Sequence, residues 1–248
     1  PKNAPLSTCT TCPYCGVGCG IRTDGVTLKG DTQHPANAGR LCVKGSSVLE
    51  TLGDQDRLLQ PQVNGEGVSW DRALDEVAER FRRIVEEHGP DAVAFYVSGQ
   101  LLTEDYYVAN KLAKGFIRTP HVDTNSRLCM SSAVAAHKRA FGADVVPGCY
   151  EDLELADLVI LTGSNTAWAH PIVYQRIAAA KQARPDMKVV VIDPRRTATC
   201  DLADLHLAIR PGQDVPLFNG LLTWLDDHNG LDRDYIHAHT EGFGATLA

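Results

Sequence analysis

Five cysteines crowd the first 42 residues: Cys9, Cys12, Cys15, Cys19 and Cys42. The run Cys12-x2-Cys15-x3-Cys19 lets one loop fold its thiolates round a single centre, whereas disulfides between such near neighbours strain the backbone. The pattern points to a bound metal or cluster. A zinc ribbon presents a second C-x2-C after about 15 to 20 residues. Here a lone Cys42 follows Cys19 after 22 residues, so an iron–sulfur cluster fits better. Gly16, Gly18 and Gly20 interleave with the thiols, allowing close backbone approach and N–H groups directed at sulfur. Two ligand sets are open. Cys9, Cys12, Cys15 and Cys19 spell the bacterial ferredoxin run, but there is no second run, and Gly20 stands where that run has proline. Cys12, Cys15, Cys19 and Cys42, leaving Cys9 as a spare thiol, is the favoured set.

The other three cysteines carry weaker signals. On residues alone, Cys129 reads as a buried thiol ahead of a helix, Cys149 and Cys200 as structural thiols, and Lys44 as an exposed turn lysine. Nine histidines are present, but no H-E-x-x-H pattern marks a histidine metal site.

The elements that must position these groups follow from length and pattern. A chain of 248 residues, 44% hydrophobic, can bury a core and corresponds to one or two domains. A net charge of −7 offers no basic field for nucleic acid. No apolar run approaches the roughly 18 to 20 residues of a membrane span. The opening Pro1-Lys2-Asn3-Ala4 shows neither an apolar export core nor twin arginines, so a soluble, cytoplasmic protein is expected. Residues 21–63 read as short strands and turns, including Arg40 to Ser46 around Cys42, and form a small cluster module. The boundary falls in Leu59 to Glu66, giving domains 1–62 and 63–248. Beyond it, Ser69 caps a helix that stops at Gly89-Pro90. An apolar strand Ala92 to Val97 follows, then a helix Glu104 to Phe116, a strand near Val122 and a helix Ser131 to Phe141. Leu158 to Leu161, a helix Pro171 to Ala183 and Val189 to Ile192 make a strand–helix–strand unit, and Asp214 caps a last helix carrying Val215, Phe218 and Leu221. The order is α/β, a doubly wound and mostly parallel sheet.

Ligands of such sheets sit beyond the carboxyl ends of the strands. There stand Thr162-Gly163-Ser164-Asn165 and Asp193-Pro194-Arg195-Arg196-Thr197. Neither is a G-x-G-x-x-G turn, which disfavours an ordinary NAD site. Gly163 and Ser164, with Arg195 and Arg196, could hold a phosphate-bearing ligand, or could be plain turn and capping residues.

Taken together, Cys12-Pro13-Tyr14-Cys15-Gly16-Val17-Gly18-Cys19, Gly39-Arg40-Leu41-Cys42-Val43-Lys44-Gly45 and Asn125-Ser126-Arg127-Leu128-Cys129-Met130 resemble the molybdenum bis(molybdopterin guanine dinucleotide) oxidoreductases. Within them, the chain is most similar to the catalytic subunits of bacterial assimilatory nitrate reductases, as an N-terminal part of a longer, four-domain enzyme. The resemblance implies a 4Fe–4S cluster on Cys12, Cys15, Cys19 and Cys42, with Lys44 between cluster and pterin, and Cys129 as a molybdenum ligand. It implies pterin contacts from Gln100 and Asn125. The guanine dinucleotide would be held by Thr162, Gly163, Ser164 and Asn165, by Asp193, Arg195 and Thr197, and by Gly212 and Asp214. Gln213 stands where many relatives carry threonine. Formate dehydrogenases of this family follow the metal-binding residue with histidine; here Met130 follows Cys129, which favours oxygen-atom transfer to nitrate over formate oxidation. The implied electron donor is ferredoxin or a flavin-dependent NADH reductase. A stand-alone electron-transfer module is the other reading of so short a chain.

Overall fold

The structure is a computed structural model and describes residues 8–248; the opening Pro1-Lys2-Asn3-Ala4 lies outside them. Two compact units divide between Asp152 and Leu153.

In the first unit, β1 (Thr8–Thr11), β2 (Gly20–Thr23) and β3 (Leu28–Gly30) form an antiparallel sheet. The Cys12–Cys19 loop is the connection between β1 and β2, closed at its base where Cys12 N–H donates to Cys19 O at 2.8 Å. Arg40 to Ser46 is not strand and turn throughout, because Val43–Ser46 closes a helical turn, α1, with Cys42 at its N-cap. Strands β4 (Gln62–Val63) and β5 (Glu66–Gly67) pair across Asn64-Gly65. Both turn residues have positive φ, 52° and 86°, as a two-residue hairpin needs.

Helix α2 (Trp70–His88) starts where Ser69 accepts from Arg72 N–H at 3.3 Å and ends at Gly89. Its Phe81 ring meets Phe95 at 6.0 Å on β6 (Phe95–Val97). The expected strand from Ala92 is shorter because Pro90–Ala92 winds into a 3₁₀ turn. Helix α3 (Thr103–Asn110) continues as a π-helical segment, Lys111–Ile117, which ends at Arg118 in the left-handed region. Strand β7 (Val122–Thr124) pairs parallel with β6, Val97 opposite Thr124. Helix α4 (Arg127–Phe141) starts four residues earlier than its apolar periodicity indicates. Its opening turn, Arg127 to Met130, is exposed and so lacks the apolar spacing of a packed helix. Helix α5 (Tyr150–Leu155) follows.

In the second unit, β8 (Leu158–Thr162), β9 (Lys188–Ile192) and β10 (Leu205–Leu207) form a parallel sheet with β9 central. The β8 to β9 crossover runs through α6 (Thr166–Ala169) and α7 (Pro171–Ala183). The core is built on Val159, Ile177, Met187, Val189, Val191 and Cys200, while Leu158 and Ile160 of the apolar β8 run are exposed instead of covered on both faces. Cys200 is therefore the structural thiol expected, whereas Cys149 is exposed. Helices α8 (Asp214–Asp227), α9 (Arg233–His239) and α10 (Phe243–Leu247) complete the chain. Gln213 occupies the N-cap of α8 without a side-chain bond, so Asp214 acts in its first turn and not as the cap. The face of α8 carrying Val215, Phe218 and Leu221 is exposed, as are Leu74 and Val77 of α2. Among the described residues, no helix is long and apolar enough to cross a membrane.

One carboxylate ties the edge of the second sheet. Asp204 accepts from Lys181 Nζ at 2.5 Å and from Val189 N–H at 2.7 Å. The Lys181 hydrogen bond, then that from Val189, hold its carboxyl below its ordinary value. The unfolded chain then binds this proton more readily, so the contribution is complete above the unfolded pKa of about 3.9 and fades as pH falls through the lower folded value. Asp204→Asn should flatten the acid side of the stability curve below about pH 4 while leaving its shape above pH 6 unchanged. Urea midpoints across pH check this; an unaltered acid limb in the variant would contradict it.

Candidate metal and cofactor site

The loop between β1 and β2 brings the thiols together. Cys12 and Cys19 are buried, and Cys15 and Cys42 half-buried. Burial, above all, raises the Cys12 thiol; Cys15 and Cys42 add to this, while the Tyr14 backbone and Lys44 oppose it. Cys19 is pushed up to about 11, by burial first and then by Cys12, Cys15 and Cys42. Cys19 thus senses all three other members of the quartet, and Cys12 senses Cys15 and Cys42. Cys9 is not among the groups that shift Cys12 or Cys19. It lies exposed on β1 opposite Arg22.

Two features of the loop were not in the spacing. The Gly18 and Gly20 N–H groups do not point at sulfur: Gly18 donates to Cys15 O at 3.3 Å and Gly20 to Asn37 Oδ1 at 2.8 Å. Asn37 itself went unnoticed inside a breaker-rich stretch. Only 1% exposed, it also donates from Nδ2 to Gly20 O at 3.0 Å and to Arg40 O at 2.7 Å. One amide therefore ties the residue after Cys19 to the segment leading into Cys42, and its full set of partners makes its burial tolerable. Gly20 is needed for close approach, since a Cβ there would lie 2.4 Å from His34 Cβ.

Four soft thiolate donors without a counter-cation at their centre repel one another, and a cationic iron core would relieve that repulsion. The donor set fits a 4Fe–4S cluster. Gly45, in α1, leaves room beside it: a Cβ there would sit 3.7 Å from Cys12 Sγ and 3.2 Å from Leu41 Cδ2. Lys44, half-buried on the same turn, acts electrostatically on Cys12. No group of three or more His, Cys, Asp or Glu among the described residues closes as a site for a single ion.

A cleft of about 430 Å³ separates this loop from the β6 strand end, lined by Thr11 to Gly16 and Gly18 on one side and Gly99 to Asp105 on the other. Gln100 Nε2 donates to Tyr14 O at 2.7 Å. Because β6 and β7 run parallel, Gly99-Gln100 and Asn125-Ser126 leave the same edge side by side, and Gly99 N–H donates to Asn125 Oδ1 at 2.6 Å. Cys129 lies in the first turn of α4, exposed, not buried ahead of a helix. Arg127 is turned to Asp123, Nε to Oδ2 3.3 Å.

The second unit repeats the principle. β8, β9 and β10 all run parallel, so the loops Gly163–Asn165 and Asp193–Thr197 and the exit toward Gly212–Asp214 share one edge. Gly163 and Gly212 adopt φ of 57° and 81°. Buried Thr199 bridges the first two loops, accepting from Ala167 N–H and donating to Asn165 Oδ1, both at 3.1 Å. Ser164 and Thr166 share a hydroxyl bond at 2.7 Å. The Asp193 carboxylate accepts from Arg195 N–H at 2.8 Å, the turn role open to a residue before proline. Thr197 Oγ1 is buried with no partner among the described residues, and the Arg195 and Arg196 side chains are exposed. An unsatisfied hydroxyl beside two cations at a strand-end edge suits a phosphate-bearing ligand.

The molybdopterin oxidoreductase family model matches residues 57–235, and the model of that family's Fe4S4 domain matches residues 7–53. The chain belongs to the molybdopterin oxidoreductase family. Two nitrate reductases are similar: that of Klebsiella oxytoca, 60% identical over 92% of this chain, and that of Shewanella frigidimarina, 55% identical over 96%. In both cases the chain spans 27% of the relative's length. Acetylene hydratase from Pelobacter acetylenicus shares the fold, with a TM-score of 0.81 over 96% of this chain and 34% of that one at 22% identity. For this molybdopterin oxidoreductase chain, the two family models imply a molybdenum–molybdopterin cofactor and a 4Fe–4S cluster.

The thiol quartet makes a chemical prediction for the metal-free chain. At pH 8 a thiol of pKa about 11 holds about a hundredfold less thiolate than an ordinary one. Iodoacetamide should therefore label exposed Cys9 and Cys149 roughly tenfold or more faster than Cys19, read by peptide mass spectrometry. Equal labelling rates would contradict the crowded site.

Proposed function

We propose that this chain supplies the cluster-bearing and molybdenum-holding part of an enzyme that reduces nitrate to nitrite. When bound, the molybdenum cofactor supplies oxygen-atom transfer and the cluster supplies single electrons. The chain's own residues hold and orient these groups. Cys12, Cys15, Cys19 and Cys42 would ligate the cluster, with Lys44 as a fixed cation whose charge favours added electrons there. Gln100 and Asn125, at the β6 and β7 ends, would contact the pterin. Cys129 would offer the protein's thiolate to molybdenum. Thr162 to Asn165, Asp193, Arg195 and Thr197, with Gly212 and Asp214, would hold the guanine dinucleotide. On this reading residues 1–62 form the cluster module and 63–248 the cofactor domain.

The observation that carries nitrate as substrate is the pair Cys129-Met130 in an exposed helical turn. A thioether after the thiolate cannot take or give a proton, so the position lacks the general base that removal of hydrogen from formate would use. The similarity to nitrate reductases supports the same reading. We place the enzyme in nitrate assimilation in the cytoplasm, fed by ferredoxin or a flavin-dependent NADH reductase.

Two measurements on the native full-length protein test this. Metal analysis should give about four irons per chain with a broad charge-transfer absorption; stoichiometric zinc without iron would defeat the cluster. Cys129→Ser should keep the iron and lower nitrate turnover, with reduced viologen as donor, by about a hundredfold or more. Unaffected turnover, or turnover of formate alone by the parent enzyme, would overturn the assignment.

A further inference from the structure

A side chain remote in sequence grips the cysteine loop from outside. Tyr150 Oη donates to Val17 O at 2.8 Å, across 133 residues. Val17 is itself buried, 4% exposed, so its carbonyl has little access to water and gains from a protein donor. The same peptide unit carries the Gly18 N–H, which donates to Cys15 O at 3.3 Å and closes the turn between the second and third thiols of the quartet. A donor on the carbonyl polarises the peptide and strengthens the bond its N–H makes, so the two bonds act as a chain. Gly18 holds φ of 67° in this turn, a conformation that favours glycine and that the outside bond helps maintain.

Tyr150 is presented by a defined turn. Cys149 N–H donates to Asp152 Oδ2 at 2.7 Å, and a Cβ on Gly148 would lie 2.9 Å from that same oxygen. Glycine at 148 and aspartate at 152 thus fix the start of α5, and with it the phenol. Within the cysteine loop, Tyr14 O is likewise held by a distant side chain, that of Gln100.

We infer that Tyr150 is a positioning residue for the iron–sulfur cluster. Its hydroxyl locks the Cys15–Gly18 turn through the Val17–Gly18 peptide, and so sets how firmly Cys15 and Cys19 hold iron. The inference rests on the quartet being the cluster site.

Tyr150→Phe in the native full-length protein removes the hydroxyl and keeps the ring; Tyr96→Phe, at an exposed ring 75% accessible, is the control. One lost hydrogen bond should speed iron release to a ferrous chelator about fivefold and alter the electron paramagnetic resonance spectrum of the reduced cluster. Molybdenum content and the circular dichroism spectrum should stay as in the parent. The control should match the parent throughout. Release and spectrum at parental values in Tyr150→Phe, or the same change in both variants, would overturn the role of Tyr150. A Tyr150→Phe protein with altered circular dichroism would also count against it, as a general structural role. Absence of iron in the parent would instead defeat the cluster site itself.

Discussion

Four thiols crowded so closely that their thiolate forms would repel one another are the constraint on which the rest depends. Burial and mutual charge drive Cys12 and Cys19 away from the thiolate form that a metal needs. The fold must therefore hold them in place until a cationic core offsets the repulsion, and ligation must release protons. The restraints all act on the backbone: the Cys12 to Cys19 bond at the base of the loop, the Asn37 side-chain amide across Gly20 and Arg40, and the α1 turn that starts at Cys42. Lys44 acts in the opposite electrostatic sense to the thiols, which gives a charged centre at this place a fixed partner.

The rest of the chain solves a placement problem with one device used twice. Parallel strands deliver their following loops to one edge. In the first unit this aligns Gly99-Gln100 with Asn125-Ser126, directly ahead of Cys129; in the second it aligns Gly163–Asn165 with Asp193–Thr197. Register enforces the alignment, because Val97 faces Thr124 and Thr162 faces Ile192. Cross-links such as Thr199 to Asn165 then fix loops that strand pairing alone would leave free.

The cysteine set and the β8–α7–β9 unit were legible in the sequence because each has a local signature, spacing in one and unbroken apolar runs in the other. Helix α7 occupies the very residues its pattern marks, Pro171 to Ala183. The first turn of α4 was not legible, since Arg127 to Met130 are exposed and carry no apolar period. Asn37 and Tyr150 were invisible for a different reason. Their distant partners, Gly20 and Val17, lie 17 and 133 residues away, and a side chain bonded to a distant backbone leaves no periodic trace. Cys149 misled by type alone: cysteine is usually buried, yet here its backbone is used in a turn and its thiol faces out.

The central claim is that Cys42, and not Cys9, completes the ligand set. Mössbauer spectroscopy of iron-57-labelled native protein tests it most directly, by comparing Cys9→Ser with Cys42→Ser. Cys9→Ser should keep the full four-iron quadrupole pattern, while Cys42→Ser should lose the cluster or show a distinct iron site. A cluster that survives replacement of Cys42 unchanged but is lost on replacement of Cys9 would contradict it.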